Sequence, residues 1–63
     1  MIKTLKNLRE WAKANGHKIE RWKYDDKSCY RLILWYGTEK EIISAQYFYW
    51  ALCRIANAME ATK

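Results

Sequence analysis

A small α+β domain of order α-β-β-α, with two helices packed on one face of a β-hairpin, is predicted for these 63 residues. Three observations predict it. Apolar residues recur at helical spacing over the first fifteen positions. The run Cys29-Tyr30-Arg31-Leu32-Ile33-Leu34-Trp35-Tyr36 is dense in branched and aromatic side chains, as strands are. Thr38-Glu39-Lys40-Glu41 has the form of a capping box, in which the Thr38 hydroxyl and the Glu41 carboxylate satisfy each other's backbone amides. A chain of this length holds one domain, residues 1–63. Its ten aromatic residues are the main source of buried area.

The first helix is expected over about residues 2–15. Leu5, Leu8 and Ala12 share its apolar face, with Trp11 and Asn15 on the flank. Asn15-Gly16 then stops it, because glycine takes the left-handed conformation that ends helices. The hairpin is expected over about 17–36, turning at Asp25-Asp26-Lys27-Ser28 and ended by Gly37. One register puts Trp22, Tyr24, Tyr30, Leu32, Leu34 and Tyr36 on one face, and Ile19, Arg21, Lys23, Arg31, Ile33 and Trp35 on the other. A slip of one residue reverses one strand's faces, and the sequence leaves the register open. The second helix is expected over about 39–60, with Ala45, Phe48, Tyr49, Leu52, Ile55, Ala56 and Met59 facing the core.

Charge is unevenly placed. Up to Arg31 nine Lys and Arg oppose four acids; from Leu32 three oppose three. The whole net charge of +5 therefore sits in the first half. Such a half suits an anionic partner, either a nucleic acid (DNA or RNA) or an acidic protein surface. Lys6, Arg9 and Lys13, with Lys3 beside them, form a stripe opposite the apolar face of the first helix. The stripe can track phosphates; a merely solvated helix face is the alternative. Arg21, Lys23 and Arg31 beside Ile33 and Trp35 would make a stacking and phosphate platform. Alternatively, Ile33 and Trp35 would serve as satellite core or a subunit contact. Ile43, Tyr47, Trp50 and Arg54, spaced four, three and four apart, form an aromatic stripe on the polar side of the expected second helix. That stripe suits a protein interface or a homodimer contact, unless the helix is buried most of the way round.

No residue pattern points to catalysis, a metal or a cofactor, and the expectation is a non-enzyme. His17, at the end of the first helix, is read as a charged side chain stabilised by the helix dipole. Asp25 and Asp26 are read as a solvated turn. Cys29 and Cys53 lack zinc-ligand spacing and form no disulfide framework. The longest uncharged run, Ile42 to Cys53, is too short to cross a membrane. With no leader pattern ahead of the first helix, a cytoplasmic location with reduced thiols is expected.

The stretch Leu5-x-x-Leu8-x-x-Trp11-x-x-x-Asn15-Gly16-x-x-Ile19-x-Arg21 resembles the start of the HicA-type toxin family. The resemblance covers about the first third of the chain. It implies a small basic protein of double-stranded-RNA-binding-like α-β-β-β-α fold. The family's catalytic histidine lies on a later strand, yet no histidine occurs between Tyr24 and Ile33. A third strand also has no place in the element reading above. No activity and no residue carry over from the family.

The leading expectation is therefore a nucleic-acid-associated binding protein. Lys6, Arg9, Lys13, Arg21, Lys23 and Arg31 would contact phosphates, and Trp35 would stack on a base or pack nearby. The alternative is a protein-binding regulator or inhibitor of host machinery, of the kind phages and mobile elements use, acting through Ile43, Tyr47, Trp50 and Arg54.

Overall fold

The computed structural model describes residues 1–36 and 38–63. Gly37, read as the end of the second strand, lies outside the described residues. The elements are α1 (Leu5–Ala14), β1 (Lys18–Tyr24), β2 (Lys27–Tyr36), β3 (Glu39–Ala45) and α2 (Trp50–Ala61). The strands form one antiparallel sheet of order β1-β2-β3. Both helices pack on the same face of it, around one shared core. The α+β class and the two helices on one face are as expected. The third strand is not.

α1 forms where the apolar spacing places it, and both ends carry the chemistry that helix ends require. Thr4 Oγ1 accepts from the Asn7 amide at 3.1 Å, satisfying one of the free donors of the first turn. At the other end the His17 amide donates to the Ala12 carbonyl at 2.7 Å and the Gly16 amide to Lys13 at 3.3 Å. These two bonds are a Schellman cap, and they require Gly16 at φ +74°. A Cβ at Gly16 would meet no atom, so conformation alone restricts the position. Gly16→Ala is expected to cost about 1 kcal/mol from left-handed strain. In a urea melt this appears as a lower midpoint with an unchanged slope.

The turn between β1 and β2 sets the register. Asp25 and Asp26 both have positive φ, 51° and 61°. That is the two-residue I′ turn whose twist matches paired strands, and Asp tolerates it. Tyr24 therefore pairs with Lys27 and Ile19 with Leu32, so odd positions of β1 lie beside even positions of β2. β3 continues the pattern, with Ile43 opposite Leu32 and Ala45 opposite Tyr30. The helix side of the sheet thus carries Ile19, Arg21, Lys23, Tyr30, Leu32, Leu34, Ile43 and Ala45. The open side carries Trp22, Tyr24, Arg31, Ile33, Trp35 and Ile42. The register that grouped Trp22 and Tyr24 with Leu32 is one residue out.

Residues 39–45 were expected to begin the second helix. They form β3 instead, and α2 starts only at Trp50. The capping box contributes on the order of 1 kcal/mol. Against it stands the second edge of the ten-residue β2, which β3 fills with ladder bonds from Tyr30 to Tyr36. The β-branched pair Ile42-Ile43 fits a pleated surface better than a helix, and Ile43 and Ala45 alternate inward against the core. With β3 in place, the element order is the one the family resemblance implied.

The core joins Leu8, Trp11 and Ala12 of α1 to Leu52, Cys53 and Ala56 of α2, over Tyr30, Leu32, Leu34 and Ala45 of the sheet. Tyr30 meets Tyr49 edge-on, with ring centroids 5.8 Å apart. Phe48, expected in the core, is exposed because it precedes α2 instead of lying within it. Asn57 of α2 ties the N-terminal segment down: its side chain accepts from the Ile2 amide at 2.8 Å and donates to the Ile2 carbonyl at 2.9 Å. The Trp11 indole N–H donates to the Glu60 carboxylate, which joins α1 to the last turn of α2. Among the described residues no helix is long and apolar enough to cross a membrane.

Candidate nucleic-acid interface

α1 packs Leu8, Trp11 and Ala12 inward, and its helical period turns Lys6, Arg9 and Lys13 outward. All three are exposed, as is Lys3 just ahead of the helix. The register adds Arg21 and Lys23, which lie on the helix side of β1, the same side as α1. Both are exposed. The ion pairs among the described residues are Lys18–Glu20 and Lys63–Glu60. None of Lys3, Lys6, Arg9, Lys13, Arg21 and Lys23 takes part in them. The α1 stripe is interrupted only by Glu10.

The same register divides the platform expected from Arg21, Lys23, Arg31, Ile33 and Trp35. Arg21 and Lys23 lie on the helix side; Arg31, Ile33 and Trp35 lie on the open side. The physical reason is the two-residue Asp25-Asp26 turn, which pairs odd with even positions. In place of Arg21 and Lys23, the open side gains Trp22. The Arg31 guanidinium carbon lies 4.3 Å from the centroid of the Trp22 ring, a cation–π stack.

The expected stripe Ile43, Tyr47, Trp50 and Arg54 is also divided, because no single helix spans it. Ile43 is on β3, half-buried and packed against the core. Tyr47 lies in the connection from β3 to α2, and only Trp50 and Arg54 are helical. Tyr47 holds φ 78°, a conformation that a bulky residue adopts only under constraint. Its ring takes Lys27 Nζ at 4.6 Å from the centroid. Phe48 bridges Tyr47 and Trp50 at centroid distances of 6.4 and 6.0 Å. Beside Trp50, a shallow groove of about 350 Å³ is lined by Ala51, Arg54, Ile55 and Ala58.

His17 is not the charged, dipole-stabilised side chain expected at a helix end. Its Nδ1 accepts from the Trp35 amide at 3.2 Å, which requires a ring nitrogen without a proton. Burial, and then the nearby Lys63 charge, hold its pKa below the ordinary 6.5. A depressed histidine makes the unfolded chain the better proton binder between the folded value and 6.5. Stability is therefore full above 6.5 and falls as pH drops through that interval. The melting temperature is expected to be lower at about pH 5.5 than at about pH 7.5, and His17→Asn should flatten that difference. A melt indifferent to pH in the parent chain would remove His17 from this role.

Both cysteines are buried and unpaired. Burial pushes the Cys53 thiol up from its ordinary pKa, which makes it a poor nucleophile. Among the described residues no three of His, Cys, Asp and Glu come together as a metal site would require. Comparison with protein-family models, with curated proteins and with solved structures finds no match for this chain.

Proposed function

We propose that this chain is a non-enzymatic nucleic-acid-associated protein whose helix-bearing side engages phosphates. One observation carries the proposal. Lys6, Arg9, Lys13, Arg21 and Lys23 are exposed on one side of the sheet with no acidic partner among the described residues. Each such cation that meets a phosphate releases a condensed counterion, so binding is strong at low salt and weakens steeply as salt rises. Neither α1 nor the helix side of β1 carries an exposed aromatic, so the contacts of these basic residues would position the chain on a backbone and would not read bases.

The test is fluorescence anisotropy with labelled duplex RNA and duplex DNA at about 50 and 200 mM salt. Binding that weakens steeply between the two supports the proposal. No binding at the lower salt rejects it and directs the basic side to an acidic protein.

A second reading has its own observation. Phe48 and Trp50 are about half exposed beside the strained Tyr47 and the groove along α2. Rigid exposed aromatics beside a groove are how protein interfaces are anchored. Under this reading Tyr47, Trp50 and Arg54 remain contact residues, while Ile43 drops out because it serves the core. Trp50→Ala is expected to leave the melting temperature nearly unchanged, since half of the side chain is already in water. It should abolish capture of a host protein in a pull-down. Unchanged capture removes Trp50 from the interface.

A further inference from the structure

The open side of the sheet carries a second surface of different character. It is aromatic as well as basic, and no element among the described residues covers it. We propose that this face binds single-stranded nucleic acid, with unpaired bases stacked on Tyr24 and Trp35 and the backbone followed by Lys27 and Lys40. The proposal rests on the nucleic-acid reading above and names a substrate class for a face that reading does not use.

Exposure is the first argument. Tyr24 is 59 % exposed, Trp35 46 % and Ile42 52 %, although each stands within a strand. Cys29 and Ile33, on the same side, are buried yet lie outside the helix-side core, so neighbouring side chains of the open face cover them. The result is a surface with large flat rings at both ends. From Lys27 to Trp35 along β2 it measures about 26 Å, room for a strand of about four nucleotides.

Charge is the second argument, and it selects the occupant. Alternation along β3 sends Glu39 and Glu41 to the helix side and Lys40 to the open side. Lys18, Lys27, Arg31 and Lys40 then face only one strand carboxylate, Glu20, a net of +3. Stacking this face on a second copy would oppose +3 with +3, which disfavours a face-to-face dimer. A polyanion meets no such penalty.

Arg31 supplies the third argument. It lies directly across from Glu20 but forms no ion pair with it, and stacks on Trp22 instead. Its Nε is buried without an acceptor, an orphaned donor in the middle strand of a cationic face. A duplex hides the flat faces of its bases in its own stack. Only an unpaired strand can offer them to Tyr24 and Trp35.

The experiment titrates the full chain into labelled dT and rU oligomers of about twelve nucleotides and into duplexes of about sixteen base pairs. Anisotropy and tryptophan fluorescence are followed at about 50 mM salt. Tyr24→Ala and Trp35→Ala are expected to weaken single-strand binding roughly five- to a hundredfold. Duplex binding should stay within about twofold. Lys40→Glu, a fully surface change, should do the same and decides the matter if Trp35→Ala fails to fold. Single-strand affinity untouched by these variants overturns the inference while leaving the helix-side proposal standing. Equal loss on both probes overturns it too. A parent chain that is dimeric by light scattering and becomes monomeric as Trp35→Ala would assign the face to a second copy. No binding of any probe by the parent chain rejects both proposals.

Discussion

Replacing Lys6, Arg9 and Lys13 together by glutamine is expected to lower the salt slope of duplex binding by about two to three units, since each lost phosphate contact removes about 0.9 from the slope. Affinity should fall for every sequence alike, because contacts to the backbone carry no base information. The fold should not suffer. All three side chains are exposed, none forms an ion pair among the described residues, and glutamine is as good a helix former as lysine. The slope is the quantity to read, from affinities at several salt concentrations. A slope that stays at the parent value would move the phosphate contacts off α1. If only Arg21→Gln and Lys23→Gln changed it, the site would shift toward the hairpin.

Leu32→Ala is expected to remove most or all of the stability. Leu32 is fully buried in the middle strand, between Ile19 and Ile43 and beneath both helices. Truncation of such a leucine costs about 2–5 kcal/mol through lost transfer energy and the cavity left behind. A domain of this size has about 3–9 kcal/mol in total. Ile42→Thr is the matched control. It lies one residue from Ile43 but on the open side and half exposed. Its cost should be within about 1 kcal/mol. The pair tests the register and the third strand together. If residues 39–45 were helical, Ile42 and Ile43 would not alternate between two faces, and the contrast between Leu32 and Ile42 would have no structural basis.

Much of this architecture is legible in the residues because the signals are local. Leu5, Leu8 and Ala12 place α1, and Asn15-Gly16 ends it with bonds that need nothing beyond the helix itself. The Cys29–Tyr36 run marks β2 by composition alone. The Asp25-Asp26 turn also contains the register, since two residues at positive φ pair Tyr24 with Lys27. Its polar character is plain from sequence; its exact length is not, because Lys27 and Ser28 extend the same polar cluster and in fact begin β2. A shift of one residue there was enough to separate Arg21 and Lys23 from Arg31 and Trp35.

Residues 38–49 are different in kind. Thr38 and Glu41 satisfy a helix rule locally, while Ile42 and Ile43 satisfy a strand rule, and the free edge of β2 decides between them. That edge is a tertiary fact. Once β3 forms, Tyr47 and Phe48 fall in a connection, Ile43 turns inward, and the aromatic stripe read for 43–54 dissolves. His17 was misread for the same reason: its partner, the Trp35 amide, lies eighteen residues away across the sheet. The helix-side basic residues were legible one by one. Their shared side was legible only for Lys6, Arg9 and Lys13, where one helix's period suffices.

The measurement that tests the central claim most directly is a two-dimensional amide NMR titration of the labelled chain with a short RNA duplex at low salt. The account predicts shifts concentrated at residues 3–13 and at Arg21 and Lys23, with the amides of 50–58 unmoved. Shifts confined to Tyr47, Trp50 and Arg54, or none anywhere, would contradict a phosphate-directed helix side.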